Sequence, residues 1–206
     1  MGRRCWATTL ALLAILCLLG AMFAACESAG RRTNDRRTGD DDTDSPGPGG
    51  ACALIAHNDG TATDPCTGHI WQVTPPNGAM DWADALTYCN NLLLGGYAGW
   101  SLPDIDALRS LVRGCGNAQT SGACGVTDAC LNQSCGDACA ACGSSAAPTG
   151  GCFWPTLVDG AGACDTYWSS NPVADESGYA WQVDFVNGDA GGHDAVSTTH
   201  RVCCVL

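Results

Sequence analysis

The protein has 206 residues, a formal net charge of −12 and sixteen cysteines, and its nine basic residues are all arginine. A sequence this acidic repels nucleic acid, and cysteine usage this heavy belongs to an oxidising compartment.

At the N-terminus, Arg3 and Arg4 precede an apolar run from Trp6 to Leu19 and small residues before Cys26, which is the pattern of an export signal over residues 1–25. The stretch "FAAC" resembles the lipobox of bacterial lipoproteins: Ala24, Ala25 and Cys26 match, and Phe23 stands where leucine is usual. The resemblance implies that Cys26 is acylated and anchors the protein to a membrane of the cell envelope, the outer membrane being the expected destination. The competing reading is an uncleaved anchor helix. Residues 26–50 lack apolar periodicity, mix charges and finish in Pro and Gly, so they form a solvated tether. Asp40, Asp42 and Asp44 are spaced like the start of a calcium loop, but Ser45 stands where that loop needs Gly and no glutamate closes it. Residues 51–206 are enough for one core and one domain.

Within that domain, "HIWQV" (69–73) is a short strand stopped by Pro75, Pro76 and Gly78. Next, Trp82, Ala85, Leu86, Cys89, Leu92 and Leu93 recur at helical spacing, with Asp81 as N-cap and Gly95 and Gly96 as the stop. Ser101 and Asp104 read as a capping box. It opens a second helix that buries Leu102, Ile105, Leu108 and Leu111 or Val112. Tyr97 and Trp100 pack the corner between the two helices.

Periodicity is lost across residues 114–165, where Cys115, Cys124, Cys130, Cys135, Cys139, Cys142, Cys152 and Cys164 lie among Gly, Ala, Ser and Asn. Such an insert buries too little apolar surface to fold unaided, so disulfides supply the constraint. The C-x2-C pair Cys139 and Cys142 has zinc spacing, but the insert has no histidine and no second C-x2-C. Order returns with "YWSSNP" (167–172) and "AWQVDFVNG" (180–188), whose alternation puts Trp181, Val183 and Phe185 on one face before an Asn-Gly turn. "HRVCCVL" (200–206) reads as a last strand, with Cys203 and Cys204 on opposite faces, one inward and one outward.

The stretches "NDGTATDPCTGHIWQ", "DWADALTYCNNLLLGGYAGWSLPDIDALRSLV", "YWSS", "AWQVDFVNG" and "RVCCV" resemble the Lcl C-terminal domain of bacterial surface proteins. The resemblance implies an α+β, C-type lectin-like domain: two helices packed on a small antiparallel sheet, the two ends of the domain joined in that sheet, and here a cysteine-rich loop insert. It also implies extracellular binding or adhesion without catalytic residues, and a disulfide from the first helix to the last strand. Cys89 is therefore expected to pair with Cys203 or Cys204, Cys204 being preferred. The family usually reads Trp-Arg-Leu-Pro where this protein has Trp100, Ser101, Leu102 and Pro103, and residues 51–206 hold only Arg109, Arg113 and Arg201. Recognition of sulfated polysaccharide loses its chemical basis in that departure.

Four scattered histidines, His57, His69, His193 and His200, sit in no hydrolase motif, so a non-catalytic domain is expected. The ligand is carbohydrate or protein, and its rim is expected at Trp168, Asn171, Asp175, Asp189 and Asp194. No cofactor is required, although Asp175, Glu176, Asp184, Asn187, Asp189 and Asp194 offer oxygens to calcium. The alternative is a disulfide-hardened structural protein that assembles into oligomers. Removing Cys5, Cys17 and the lipidated Cys26 from sixteen leaves thirteen cysteines. An odd number cannot all pair internally. Cys52 is expected to bond Cys66, and the insert cysteines to pair mostly among themselves.

Overall fold

A computed structural model describes residues 53–148, 151–155 and 164–206, all within the unit Asp44–Leu206. The signal, Cys26, the tether and Cys52 lie outside the described residues. Cys66 is disulfide-bonded, but the expected pairing with Cys52 falls outside them too. Among the described residues no helix is long and apolar enough to cross a membrane.

Two three-stranded antiparallel sheets replace the single sheet expected. The first orders β1 (Ile55–Ala56), β2 (Thr61–Thr63) and β3 (Ile70–Gln72) as a meander; the second does the same with β4 (Thr166–Pro172), β5 (Tyr179–Asp184) and β6 (His193–Ala195). Helices α1 (Trp82–Asn90) and α2 (Ile105–Ser110) lie between them in sequence and pack on the second sheet, α1 against β4 and α2 against β4 and β5. The register of β4 slips between Trp168 and Pro172. The groups freed by that slip hold the helices: Ser170 N donates to Pro103 O at 2.7 Å, and Asn171 Oδ1 accepts from Ile105 N at 2.6 Å.

The expected caps are half right. Asp81 caps α1 by accepting from Asp84 N at 2.8 Å. The cap of α2 is Asp104, which accepts from Ala107 N at 2.7 Å, not Ser101. Leu102 precedes a proline and is steered away from helical dihedrals. Ser101 instead forms an isolated bridge with Val205. Gly95 and Gly96 do not stop α1, which ends at Asn90 with Asn91 as its C-cap. They make a tight turn closed by hydrogen bonds between Leu94 and Tyr97, both glycines at positive φ (63° and 78°). Leu93, past the helix end, is 78% exposed, and Tyr97 is half-exposed while Trp100 alone fills the corner.

Nor do residues 200–206 form a strand. Running between the two sheets, this segment meets a new neighbour every residue or two: His200 bonds Met80, Arg201 bonds Thr166 and Trp168, Gln72 N donates to Cys204 O, Val205 bonds Ser101, and Leu206 bonds Ile70. Cys203 and Cys204 do point to opposite sides, but neither points outward. Cys203 joins the larger core cluster with Trp71, Tyr167 and Val183; Cys204 joins a second with Cys89, Trp100, Trp168 and Val202, and both are fully buried. Cys204 takes the bond to Cys89, across 115 residues. Cys203 is the free cysteine among the described residues, and burial pushes its thiol pKa up.

The disulfides of the insert stay within it, joining Cys115 to Cys142, Cys124 to Cys139, Cys130 to Cys135 and Cys152 to Cys164. Cys139 and Cys142 thus have different partners, which leaves no thiolate pair for zinc. At its centre lies Arg109, fully buried on α2, whose guanidinium donates to the carbonyls of Ala118 (2.8 Å), Gln119 (2.7 Å), Cys124 (3.2 Å) and Val126. The fork of one arginine gathers the loop that follows its own helix.

Candidate functional site

Both helices, His69 just before β3, Ser170 of β4 and the C-terminal segment surround a cleft of about 330 Å³. Its wall is aliphatic where Leu86, Leu102 and Val205 contribute, and hydrogen-bonding where His69, Asn90, Ser101, Asp104 and Ser170 do. Sequence reasoning placed none of these in a site. Their clustering depends on the C-terminal segment passing between β3 and Ser101, which no local pattern announces.

Asp104 also belongs to an acidic trio at the start of α2. Asp128 N donates to Asp106 Oδ2 at 3.1 Å. Burial of the Asp128 carboxyl, then the charges of Asp104 and Asp106, push its pKa up to about 6. The residue as a whole is exposed, so solvent screens much of that repulsion.

The residues expected to form a rim do not make one surface. Trp168 is fully buried, with its indole N–H donating to Met80 O at 3.0 Å and its ring edge-on to His200, because its side of β4 faces the second core cluster. Asn171 is committed to the first turn of α2. Asp175 accepts from Gln133 N at 2.8 Å, and Glu176 from Gln133 Nε2, which pins their loop to the insert. From the end of β5 onward, Asp184 accepts from Val186 N (2.7 Å), Asn187 from Asp189 N (2.9 Å) and Asp189 from Gly191 N (2.8 Å), each carboxylate or amide folding its own turn. Asp194 Oδ2 lies 2.8 Å from His200 Nε2 and accepts from Gln182 Nε2 at 3.1 Å. These six oxygen-bearing residues are occupied in holding loops, and among the described residues no group of three or more His, Cys, Asp or Glu is arranged to hold a metal ion. The calcium reading gains no geometric support.

His200 with Asp194 is one of two histidine–carboxylate pairs flanking β6; the other joins His193 Nε2 and Glu176 Oε2 at 3.4 Å. A histidine oriented by a carboxylate is half of a catalytic arrangement. Here Trp168 and Met80 pack beside one pair and Tyr179 and Trp181 beside the other, and no serine or cysteine nucleophile is hydrogen-bonded to either imidazole among the described residues.

Residues 60–206 match the Lcl C-terminal domain family. No curated protein and no solved structure matches the sequence.

Proposed function

The chain belongs to the Lcl C-terminal domain family, and from that premise we propose that it is a cell-envelope lipoprotein, anchored through Cys26, whose domain has a C-type lectin-like fold and binds an uncharged ligand without catalysis. The fold reading is supported by the way residues 204–206 bond to β3 and by the Cys89–Cys204 bond from α1 to the C-terminal segment. The cleft carries the functional reading. Its volume is in the range of small-ligand sites, and it alternates aliphatic surface with hydroxyl, amide and imidazole groups and the Asp104 carboxylate. A neutral carbohydrate, with apolar ring faces and hydroxyl edges, matches that lining, and no arginine lines it to neutralise a sulfate.

The test is a glycan array probed with the oxidised protein, with and without calcium, and repeated with Ser170→Trp, which fills the cleft from the irregular part of β4. Binding to neutral glycans that survives high salt and is lost in the variant is expected. Strong retention on heparin at physiological salt contradicts the proposal.

A second reading is favoured by one observation: Leu93, Ile55 and Tyr97 are 78%, 54% and 43% exposed, a display of large apolar groups that assembly would cover. Light scattering coupled to size-exclusion chromatography separates an oligomeric structural protein from a monomeric binding domain.

A further inference from the structure

The sequence contains two Asn-Gly pairs among the described residues, Asn77–Gly78 and Asn187–Gly188, and the fold treats them in opposite ways. Asn-Gly is the dipeptide most open to self-modification, because glycine lacks the Cβ that shields its amide nitrogen and it lets the backbone rotate freely. In that reaction the Gly nitrogen loses its proton to solvent base and attacks Cγ of the asparagine amide. A new N–C bond closes a five-membered succinimide, the bond from Cγ to the amide nitrogen breaks, and that nitrogen leaves as ammonia with a proton from solvent. Water then opens the ring at either carbonyl and yields aspartate or isoaspartate.

At Asn187 every participant is held. Gly188 N donates to Asp184 O at 2.9 Å, and Gly188 is buried so tightly that a Cβ there lies 3.0 Å from Cys115 Cβ. Asn187 Oδ1 accepts from Asp189 N at 2.9 Å, and the Asn187 backbone carbonyl accepts from Gly143 N at 2.9 Å. Neither the nucleophile nor the electrophile can swing into line.

At Asn77 nothing is held. The pair lies in the turn between β3 and α1, both residues are exposed, and Gly78, at φ 115°, has no atom within 4 Å of the position a Cβ takes. Neither the Asn77 amide nor the Gly78 N–H has a hydrogen-bond partner among the described residues. Asp59–Gly60, the remaining acid-glycine turn of this kind on the first sheet, is restrained by Thr61, whose N–H and hydroxyl both donate to Asp59 Oδ1.

We propose that Asn77–Gly78 is a site of spontaneous succinimide formation and deamidation in the native protein, and that Asn187–Gly188 is protected by the fold. The product adds a negative charge one residue from Pro76, whose carbonyl accepts from Arg201 Nη1 at 3.5 Å, the same arginine that pairs with Asp165 at 3.2 Å. The new charge thus enters the turn that Arg201 ties to the C-terminal segment.

The experiment incubates the intact, oxidised protein at physiological temperature and mildly alkaline pH. Peptides are mapped by mass over time, and isoaspartate is labelled with an isoaspartyl methyltransferase and a radioactive methyl donor. The peptide containing Asn77 gains the amide-to-acid mass increment and the label, whereas the peptide containing Asn187 stays unchanged. Once the protein is reduced and unfolded, the two peptides convert at comparable rates. Asn77→Gln abolishes the early label, and Gly78→Ala slows it several-fold. Equal native-state conversion at both sites, or label at Asn187 before Asn77, overturns the proposal.

Discussion

Replacing Arg109 by leucine keeps an apolar stem on α2 but removes every donor from the centre of the insert. Three carbonyls, those of Ala118, Cys124 and Val126, lose their partner, while that of Gln119 keeps its bond from Gly122 N at 2.8 Å. A buried polar group left unpaired costs about 1–3 kcal/mol. Even at the lower bound the three together cost about 3 kcal/mol, a large part of the roughly 5–15 kcal/mol that holds an ordinary domain together. The new leucine returns some apolar contact, but a guanidinium-shaped space among carbonyls gives it few suitable neighbours. For a domain of this size each kcal/mol shifts Tm by about 2–4 °C, so the expected fall is about 6–12 °C. Differential scanning calorimetry on oxidised protein measures it, with peptide mapping to confirm that Cys115–Cys142 and Cys124–Cys139 have formed. Arg109→Lys offers three donors from a single point and should recover only part of the loss. A fall below about 3 °C for the leucine variant, with all disulfides native, would refute the view that the guanidinium organises the insert.

Removing the long-range bond with Cys89→Ala and Cys204→Ala is expected to cost about 2–4 kcal/mol, read from urea unfolding at constant slope. Gly95→Ala meets Thr61 Cγ2 at 2.7 Å with φ at 63°, whereas Gly96→Ala, at φ 78°, meets nothing within 4 Å; the first should therefore lose clearly more stability than the second, compared by thermal melting. Asp128→Asn tests the acidic trio. The folded-state pKa of Asp128 is raised to about 6 from an ordinary 3.8, so the native form favours the protonated acid, and stability present at low pH is lost as pH rises through the folded value. The variant should match the parent near pH 4 and exceed it near pH 7, as a difference in Tm.

The parts of this fold legible in the sequence are those whose cause is local. Asp81 caps α1 because the cap and its donor lie three residues apart, and β5 shows its buried face through the alternation of Trp181, Val183 and Phe185. The pairing of Cys89 with Cys204 was accessible only through the resemblance to a family, since spacing alone leaves both terminal cysteines open. What the sequence hid depends on segments distant from one another. Trp168 looks like a ligand-facing aromatic until α1, Met80 and Val202 cover it. Loop carboxylates such as Asp184 and Asp189 look like cation ligands until their own turns engage them. The cleft was invisible because its walls come from His69, both helices, β4 and the last residues at once. The sequence signal for Arg109 is a lone arginine amid the buried positions of a short helix, directly before a loop too poor in apolar residues to organise itself.

The two neighbouring sulfurs near the C-terminus set a discrimination problem for oxidative folding. Cys203 and Cys204 become available to Cys89 together, separated by one peptide unit, and only one choice fits. Because successive side chains face opposite ways along extended backbone, joining Cys89 to Cys203 rotates the neighbouring residues by half a turn. Val202 and Cys204 then trade clusters with Cys203 and Val205, and the bonds that Gln72 and Ser101 make to this segment lose their partners. A mispaired molecule is therefore a wrong register locked covalently, and the sealed, protonated thiol of Cys203 marks the molecules in which the segment seated before its disulfide closed.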